Sequence, residues 1–343
     1  MAPEAFKAFC RAFVASGVGS IPTLPRQKLM NKEPGHPFDP EETGGGSIAG
    51  QPAVLIMNPV SGRGLAKSSE PKVLEALKNA GIEFSLLHSE GPGHLTELAR
   101  KAASEGMKLV IVGGGDGTVH EAAAGLWDSD VVLGVIPLGS GNDFAGSQGI
   151  PMNLDRAVDA LRQGNVFLTD VGRFGERYFF NTLGVGFGPT VTINARKYRH
   201  IRGYPLYLVT VVESLFRYRS MPLVLEAPDY HRDKLTYMLV VGIGTREGGG
   251  FKMTPDAVLD DGKFDLCIVD DLSIPKALSV LPQATKGTHV NLPIVEMVRV
   301  SSVTVTAQEP IVLHADGEIY ETGSDRLELT CLQRSLRVVS PPR

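Results

Sequence analysis

The stretch GGGDGTVHEAAAGL, residues 113–126, carries residue types that could do chemistry. It follows a solid apolar run, Leu109-Val110-Ile111-Val112, and leads into an alanine-rich helical pattern. Glycines at the start of a helix leave backbone N–H groups free to grip a phosphate. Asp116 interrupts them. A carboxylate there gains from the helix dipole, yet it repels a phosphate unless a cation lies between. Asp116 is therefore expected to face Mg²⁺ or a reacting hydroxyl. Thr118 and Glu121 have a purely structural reading, since Thr-x-x-Glu is a capping box that starts a helix.

Two other loops share this character. Asn58-Pro59-Val60-Ser61-Gly62-Arg63-Gly64 follows the apolar run at 53–57, and Pro137-Leu138-Gly139-Ser140-Gly141-Asn142-Asp143 follows the run at 131–137. In an open parallel sheet, loops at the carboxyl ends of strands line the ligand crevice, so all three belong on one rim. Singly, each is matched by the glycine turn of any α/β protein. Familiar nucleotide motifs fail on spacing. No G-x-x-x-x-G-K-[ST] is present, and Thr118 and Phe144 stand where G-x-G-x-x-G needs its third glycine. His231-Arg232-Asp233 imitates a kinase catalytic loop, but Met238 replaces the metal-binding Asn, so it reads as a surface turn. A fourth loop, His314-Ala315-Asp316-Gly317-Glu318, contains Asp-Gly, an ordinary hairpin turn.

These loops need strands and helices to position them. Strands at 53–57, 84–87, 109–112 and 131–137 alternate with helices at 71–80, 96–105 and after the glycines of the opening stretch, with Gly81 as a C-cap. Strands that are apolar throughout imply a parallel sheet covered on both faces. After about residue 170 the rhythm changes. Strands are expected at 178–183, 223–226, 235–241, 264–269, 298–305 and 311–314, with helices only at 206–218 and 275–281. An α/β block followed by a run of strands suggests a second, β-rich domain. The expected division is an extension over 1–50, an α/β domain over 51–170 with the last residues from about 330, and a β-rich domain over 171–329. Prolines and the Gly44-Gly45-Gly46 run give the extension linker composition, although Phe6, Phe9, Phe13 and Val14 could form a short amphipathic helix.

Composition narrows the class. The chain has 343 residues, 43% hydrophobic and 21% charged, as in a soluble globular protein. A net charge of -4 gives no global signature for nucleic acid. Three widely spaced cysteines, Cys10, Cys267 and Cys331, argue against a disulfide framework and for a reducing compartment. No apolar run is long enough for a spanning helix, and no secretory signal pattern stands at the N-terminus.

Taken together and in this order, NPVSGRG, GGGDGTVHE, IPLGSGNDFA, GGGFKMTPDAVLDDGKFDL and HADGE resemble the diacylglycerol kinase catalytic domain, most closely the bacterial soluble lipid kinases of the diacylglycerol kinase B and YegS type. Sphingosine and ceramide kinases are more distant relatives. The resemblance covers about residues 54–339. It implies an α/β domain that binds ATP, a C-terminal β-sandwich that shapes the lipid site, an active site in the cleft between them, and a last segment that returns to the first domain. Asn58, Pro59, Ser61 and Gly62 are then expected at the nucleotide phosphates, with Ser89 nearby. Gly114, Gly115, Asp116, Gly117, Thr118, His120 and Glu121 should wrap the triphosphate, joined by Ser140, Asn142 and Asp143. Gly317 and Glu318 flank Asp316, which matches the family's proposed general base; sphingosine kinases credit that job to the position of Asp116. The expected division of labour is Asp316 as base and Asp116 in a Mg²⁺-linked network with Asp143. The resemblance also implies a structural Mg²⁺ on Asp261, with the carbonyls of Val258 and Lys263, where an acidic turn is the plainer reading.

A lipid acceptor implies docking at a bilayer. Residues 195–220 place an apolar core between Arg196, Lys197, Arg199 and Arg202 and then Arg217 and Arg219. Such residues add about 1 kcal/mol each near an anionic surface. A buried helix with solvated basic ends is the alternative. The expectation is a cytoplasmic protein at the membrane periphery, with a homodimer implied by the resemblance and no nucleic-acid partner. The leading acceptor is diacylglycerol. Sphingoid bases, ceramide, phosphatidylglycerol, NAD, or no catalysis at all are the competing readings.

Overall fold

The structure, a computed structural model, describes residues 48–195, 197, 198 and 203–341. The amphipathic helix expected around Phe6–Val14 lies outside them, as do Arg196, Arg199 and Arg202. The described residues belong to one compact unit.

Four fully apolar or edge strands open the chain: β1 (Ala53–Met57), β2 (Phe84–His88), β3 (Leu109–Gly114) and β4 (Val132–Pro137). They pair in parallel in the order β2-β1-β3-β4. Five helices cover them: α1 (Ser61–Asn79), α2 (His94–Ser104), α3 (Asp116–Leu126), α4 (Asp143–Ser147) and α5 (Leu154–Gln163). Leu95, Ala99 and Ala122 pack on one face, while Val73, Leu77 and Leu161 pack on the other. A parallel sheet buried on both sides is what the apolar runs require.

The second half is antiparallel. Its strands are β5 (Val166–Phe174), β6 (Arg177–Phe179), β7 (Thr182–Gly186), β8 (Met221–Ala227), β9 (Tyr230–Gly242), β10 (Phe264–Asp270), β11 (Val295–Val300), β12 (Ser302–Ala307), β13 (Val312–Ala315), β14 (Glu318–Glu321) and β15 (Arg326–Val339). Alternation along each strand separates two cores. Leu239, Val241, Leu266 and Ile268 enter the sandwich interior. Val240, Cys267 and Val269 face the other way, against α6 (Phe187–Ala195), α7 (Gly203–Leu215) and α8 (Ile274–Lys286). The 14-residue β15 joins the halves: it pairs with β12 and β5, and near its end Val338 pairs in parallel with Leu133 of β4.

Several expectations change. The strand expected at 178–183 is broken at Phe180 and Asn181, whose N–H groups point to Asp316 instead of a neighbouring strand. The strand expected at 298–305 is two strands meeting at Ser301. His231-Arg232-Asp233 is no surface turn. It lies in β9, where Arg232 is buried against Asp270 and Glu296.

Candidate active site

The three glycine loops meet at one rim, as their places after β1, β3 and β4 require. Ser61 Oγ accepts the Gly115 N–H at 2.8 Å, and Asn58 donates to Thr118 Oγ1 at 3.1 Å. A Cβ on Gly115 would stand 2.8 Å from Cα of Gly139, and one on Gly62 would stand 2.2 Å from the Leu138 carbonyl oxygen. Those glycines thus allow backbone to lie on backbone, and Gly62 is also left-handed at φ 57°. Pro59 stands between Asn58 and Ser61, and Ser89 follows β2 beside the end of β1, where its N–H reaches the Met57 carbonyl. Ser140 is half-buried in the third loop.

The expected capping box is absent. The helix α3 begins three residues earlier, with Gly115 as its N-cap and Asp116 first, so Thr118 already lies inside its first turn. Its hydroxyl receives Asn58 instead, and Glu121 Oε2 accepts the Leu95 N–H at 3.2 Å.

Asp116 ties the second loop to the third. Its carboxylate accepts the N–H groups of Asn142 at 2.8 Å and Phe144 at 3.1 Å. Asn142 adopts φ 58° and is pinned to Gly139 through both side-chain atoms. Asp143 starts α4 and accepts the Gly249 N–H at 2.8 Å from the β-rich half. Burial raises the pKa of both acids against some relief from backbone N–H groups. Burial and then the Asp116 charge push Asp143 to about 8. Two buried, mutually repelling carboxylates beside three glycine loops are a donor pair that could hold a hard divalent cation, which binds one or two carboxylates plus phosphates.

This burial has a pH consequence. Asp143 rises from 3.8 to about 8 on folding, so between those values the folded chain holds a proton that the unfolded chain has lost. The ligand-free protein should therefore lose stability as pH rises through that window. Asp143→Asn should raise the thermal midpoint at pH 8 and leave it nearly unchanged at pH 4. Scanning calorimetry at the two values checks this, and equal shifts at both would contradict it.

Across the cleft, Asp316 and Gly317 form the two-residue turn between β13 and β14, with φ 49° and 86°. The hairpin reading of Asp-Gly is therefore right, and the turn also carries the site. Asp316 Oδ1 accepts the N–H groups of Asn181 at 2.9 Å and Thr182 at 3.1 Å. Its Oδ2 accepts that of Phe180 at 2.8 Å and lies 2.8 Å from His120 Nδ1. Burial lowers the His120 pKa, but the bond and charge of Asp316 outweigh it and leave it raised. His120 sits on α3, so this pair joins the glycine-loop half to the β-rich half. Glu318 reaches back toward Gly117, where a Cβ would lie 3.7 Å from its Oε1.

Asp116, Asp143, His120 and Asp316 line a cavity of about 150 Å³. The rest of its wall is mostly apolar and comes from α6, α7, α8 and the outward face of the sheet, with Val191, Leu215, Met253 and Leu281 among the lining residues. Sequence reasoning missed Asn181, Glu247 and the role of His314 in this wall.

Mg²⁺ is expected on the DDG segment at Asp261, with the carbonyls of Val258 and Lys263. Asp261 is paired with the Arg299 guanidinium and also accepts the Lys263 N–H at 3.0 Å, while Val258 is 43% exposed. Arg299→Gln removes the partner of Asp261 and should lower the thermal midpoint. Scanning calorimetry checks this, and an unchanged midpoint would contradict it.

Of the basic cluster, Lys197 and Arg217 both approach Glu213, at 3.8 and 3.7 Å. Helix α7 buries Val211 and Leu215 but leaves Val209 40% and the following Phe216 61% exposed. No helix of the described residues is long and apolar enough to cross a membrane.

The chain is similar to known proteins in both halves. Residues 52–174 match the diacylglycerol kinase catalytic domain, and residues 181–340 match the YegS C-terminal NAD kinase beta sandwich-like domain. A diacylglycerol kinase of Bacillus subtilis (strain 168) is 32% identical over 84% of this chain and 96% of its own. One from Staphylococcus saprophyticus is 30% identical over 78% of this chain and 88% of its own. A crystal structure of a diacylglycerol kinase from Bacillus anthracis str. Sterne superposes with a TM-score of 0.66 over 85% of this chain and 97% of that one, at 22% identity, and shares its fold.

Proposed function

The chain belongs to the diacylglycerol kinase family, and from that premise we propose that it transfers the γ-phosphate of ATP to the free hydroxyl of a diacylglycerol, giving phosphatidic acid. As a member of this family the chain is a lipid kinase that uses ATP. The observation that carries the diacylglycerol reading is the largely apolar cavity that Asp116, Asp143, His120 and Asp316 also line. Hydrocarbon suits its walls, and only a hydroxyl at the polar end of the ligand would meet the carboxylates.

The backbone N–H groups of the three loops grip the phosphates, as helix and loop termini do for anions. Asp116 and Asp143 fit Mg²⁺, which would neutralise charge developing on the phosphoryl group. Phosphoryl transfer is mostly positioning, and the loops fix one partner while the cavity fixes the other. The proton of the attacking hydroxyl passes to the hydrogen-bonded Asp316–His120 pair. Asp316 is held by three backbone N–H groups, so it presents His120 in one orientation.

Docking at a bilayer is the natural route for such an acceptor. Exposed Val209 and Phe216 flank cavity-lining Val211 and Leu215, which supports α7 as the face that meets the lipid surface. The test is a panel of acceptors with labelled ATP and Mg²⁺. Label should appear in phosphatidic acid from diacylglycerol micelles. Label found only in a sphingoid base, in phosphatidylglycerol or in NADP would replace the reading with that one.

A further inference from the structure

Within the cavity, one buried side chain has no task in the reaction just described. His314 is 2% exposed, and neither ring nitrogen has a hydrogen-bond partner. Its Nε2 lies 2.9 Å from Oε1 of Glu247 without hydrogen-bond alignment, and Glu247 Oε2 also lacks a partner. Buried polar atoms are nearly always satisfied in folded proteins, so two orphans facing the same space call for a ligand group.

The placement is built rather than incidental. Leu313 and Ala315 enter the sandwich core, so strand alternation turns His314 to the opposite face, toward the cavity that Asp316 also lines. His314 lies directly across from Gly184 on β7. A Cβ at Gly184 would stand 2.2 Å from Nε2, and one at Gly188 would stand 2.7 Å from it. Two glycines therefore make room for the ring.

We infer that His314, with Glu247 beside it, donates a hydrogen bond to an ester carbonyl of the acceptor lipid and so selects ester-linked over ether-linked glycerolipids. This rests on the lipid-kinase reading above. In a diacylglycerol the ester lies between the free hydroxyl and the hydrocarbon, and His314 lines the same cavity as Asp316 and the apolar walls. A carbonyl can only accept, and an imidazole beside a carboxylate can donate. An ether oxygen is a much weaker acceptor and leaves the ring unsatisfied. Loss of a group that a site is built to bond is where discrimination is strongest.

The test measures kcat/KM with 1,2-dioctanoylglycerol and with 1,2-di-O-octylglycerol, which differ only in the carbonyls. Wild type should prefer the ester by about tenfold or more. His314→Phe, which keeps a ring and loses the donor, should bring the ratio close to one by lowering the ester value most. His314→Gln, which restores an N–H, should recover part of the preference and carries the test if the phenylalanine variant fails to fold. An equal loss for both lipids in the variants, or no preference in wild type, overturns the inference. If wild type phosphorylates neither lipid, the proposed function itself has failed, and this assignment goes with it.

Discussion

Asp316→Asn should lower kcat by about 10²–10⁴-fold, the usual worth of a positioned acid–base group, while ATP affinity changes only a few-fold. The carboxylate accepts from Phe180, Asn181 and Thr182 and bonds His120, so its two oxygens serve four partners. An amide offers only one acceptor oxygen, and its NH₂ would face donors. It therefore loses both the proton path and the orientation of His120. The glycine loops after β1, β3 and β4, to which the nucleotide is assigned in the proposal, belong to the other half of the cleft, which is why nucleotide binding should survive. Rapid-quench turnover together with ATP titration reads the two effects separately. A variant within about threefold of wild-type kcat would remove Asp316 from the proton path.

Asp116→Asn should be comparably damaging for a different reason. Its carboxylate accepts from Asn142 and Phe144, and its charge raises Asp143. The amide halves the charge available to a divalent cation and turns a donor toward one of two N–H groups. Activity should fall at least about 100-fold, and the Mg²⁺ concentration needed for half-maximal rate should rise. The Mg²⁺ dependence of the initial rate tests this directly. An unchanged requirement would mean that Asp116 is a loop latch alone.

How much of this could be read from the chain follows from what is local. Each glycine loop lies between its own strand and helix, so the runs at 53–57, 109–112 and 131–137 fixed the rim without tertiary knowledge. The strands at 235–241 and 264–269 were likewise plain. What escaped depends on distant partners. The break at Phe180 and Asn181 exists because their N–H groups serve Asp316, more than 130 residues away in sequence. The capping-box pattern failed because Asn58 claims Thr118. Arg232 looked like part of a polar turn, since nothing nearby announces its carboxylate partners on β10 and β11. Glu247 and His314 converge on one cavity wall with no spacing to signal it. At the DDG segment nothing nearby announced the ion pair of Asp261 with Arg299, which lies on β11.

The central claim is that hydrocarbon fills the cavity behind α7 and α8 while the hydroxyl meets Asp316 and His120. It is tested most directly by kcat/KM for water-soluble diacylglycerols of increasing chain length, each assayed below its micelle threshold. Burial of a methylene is worth about 0.8 kcal/mol, so each added buried methylene should raise kcat/KM about fourfold until the cavity is full. A series that stays flat from the shortest chain upward would contradict the account.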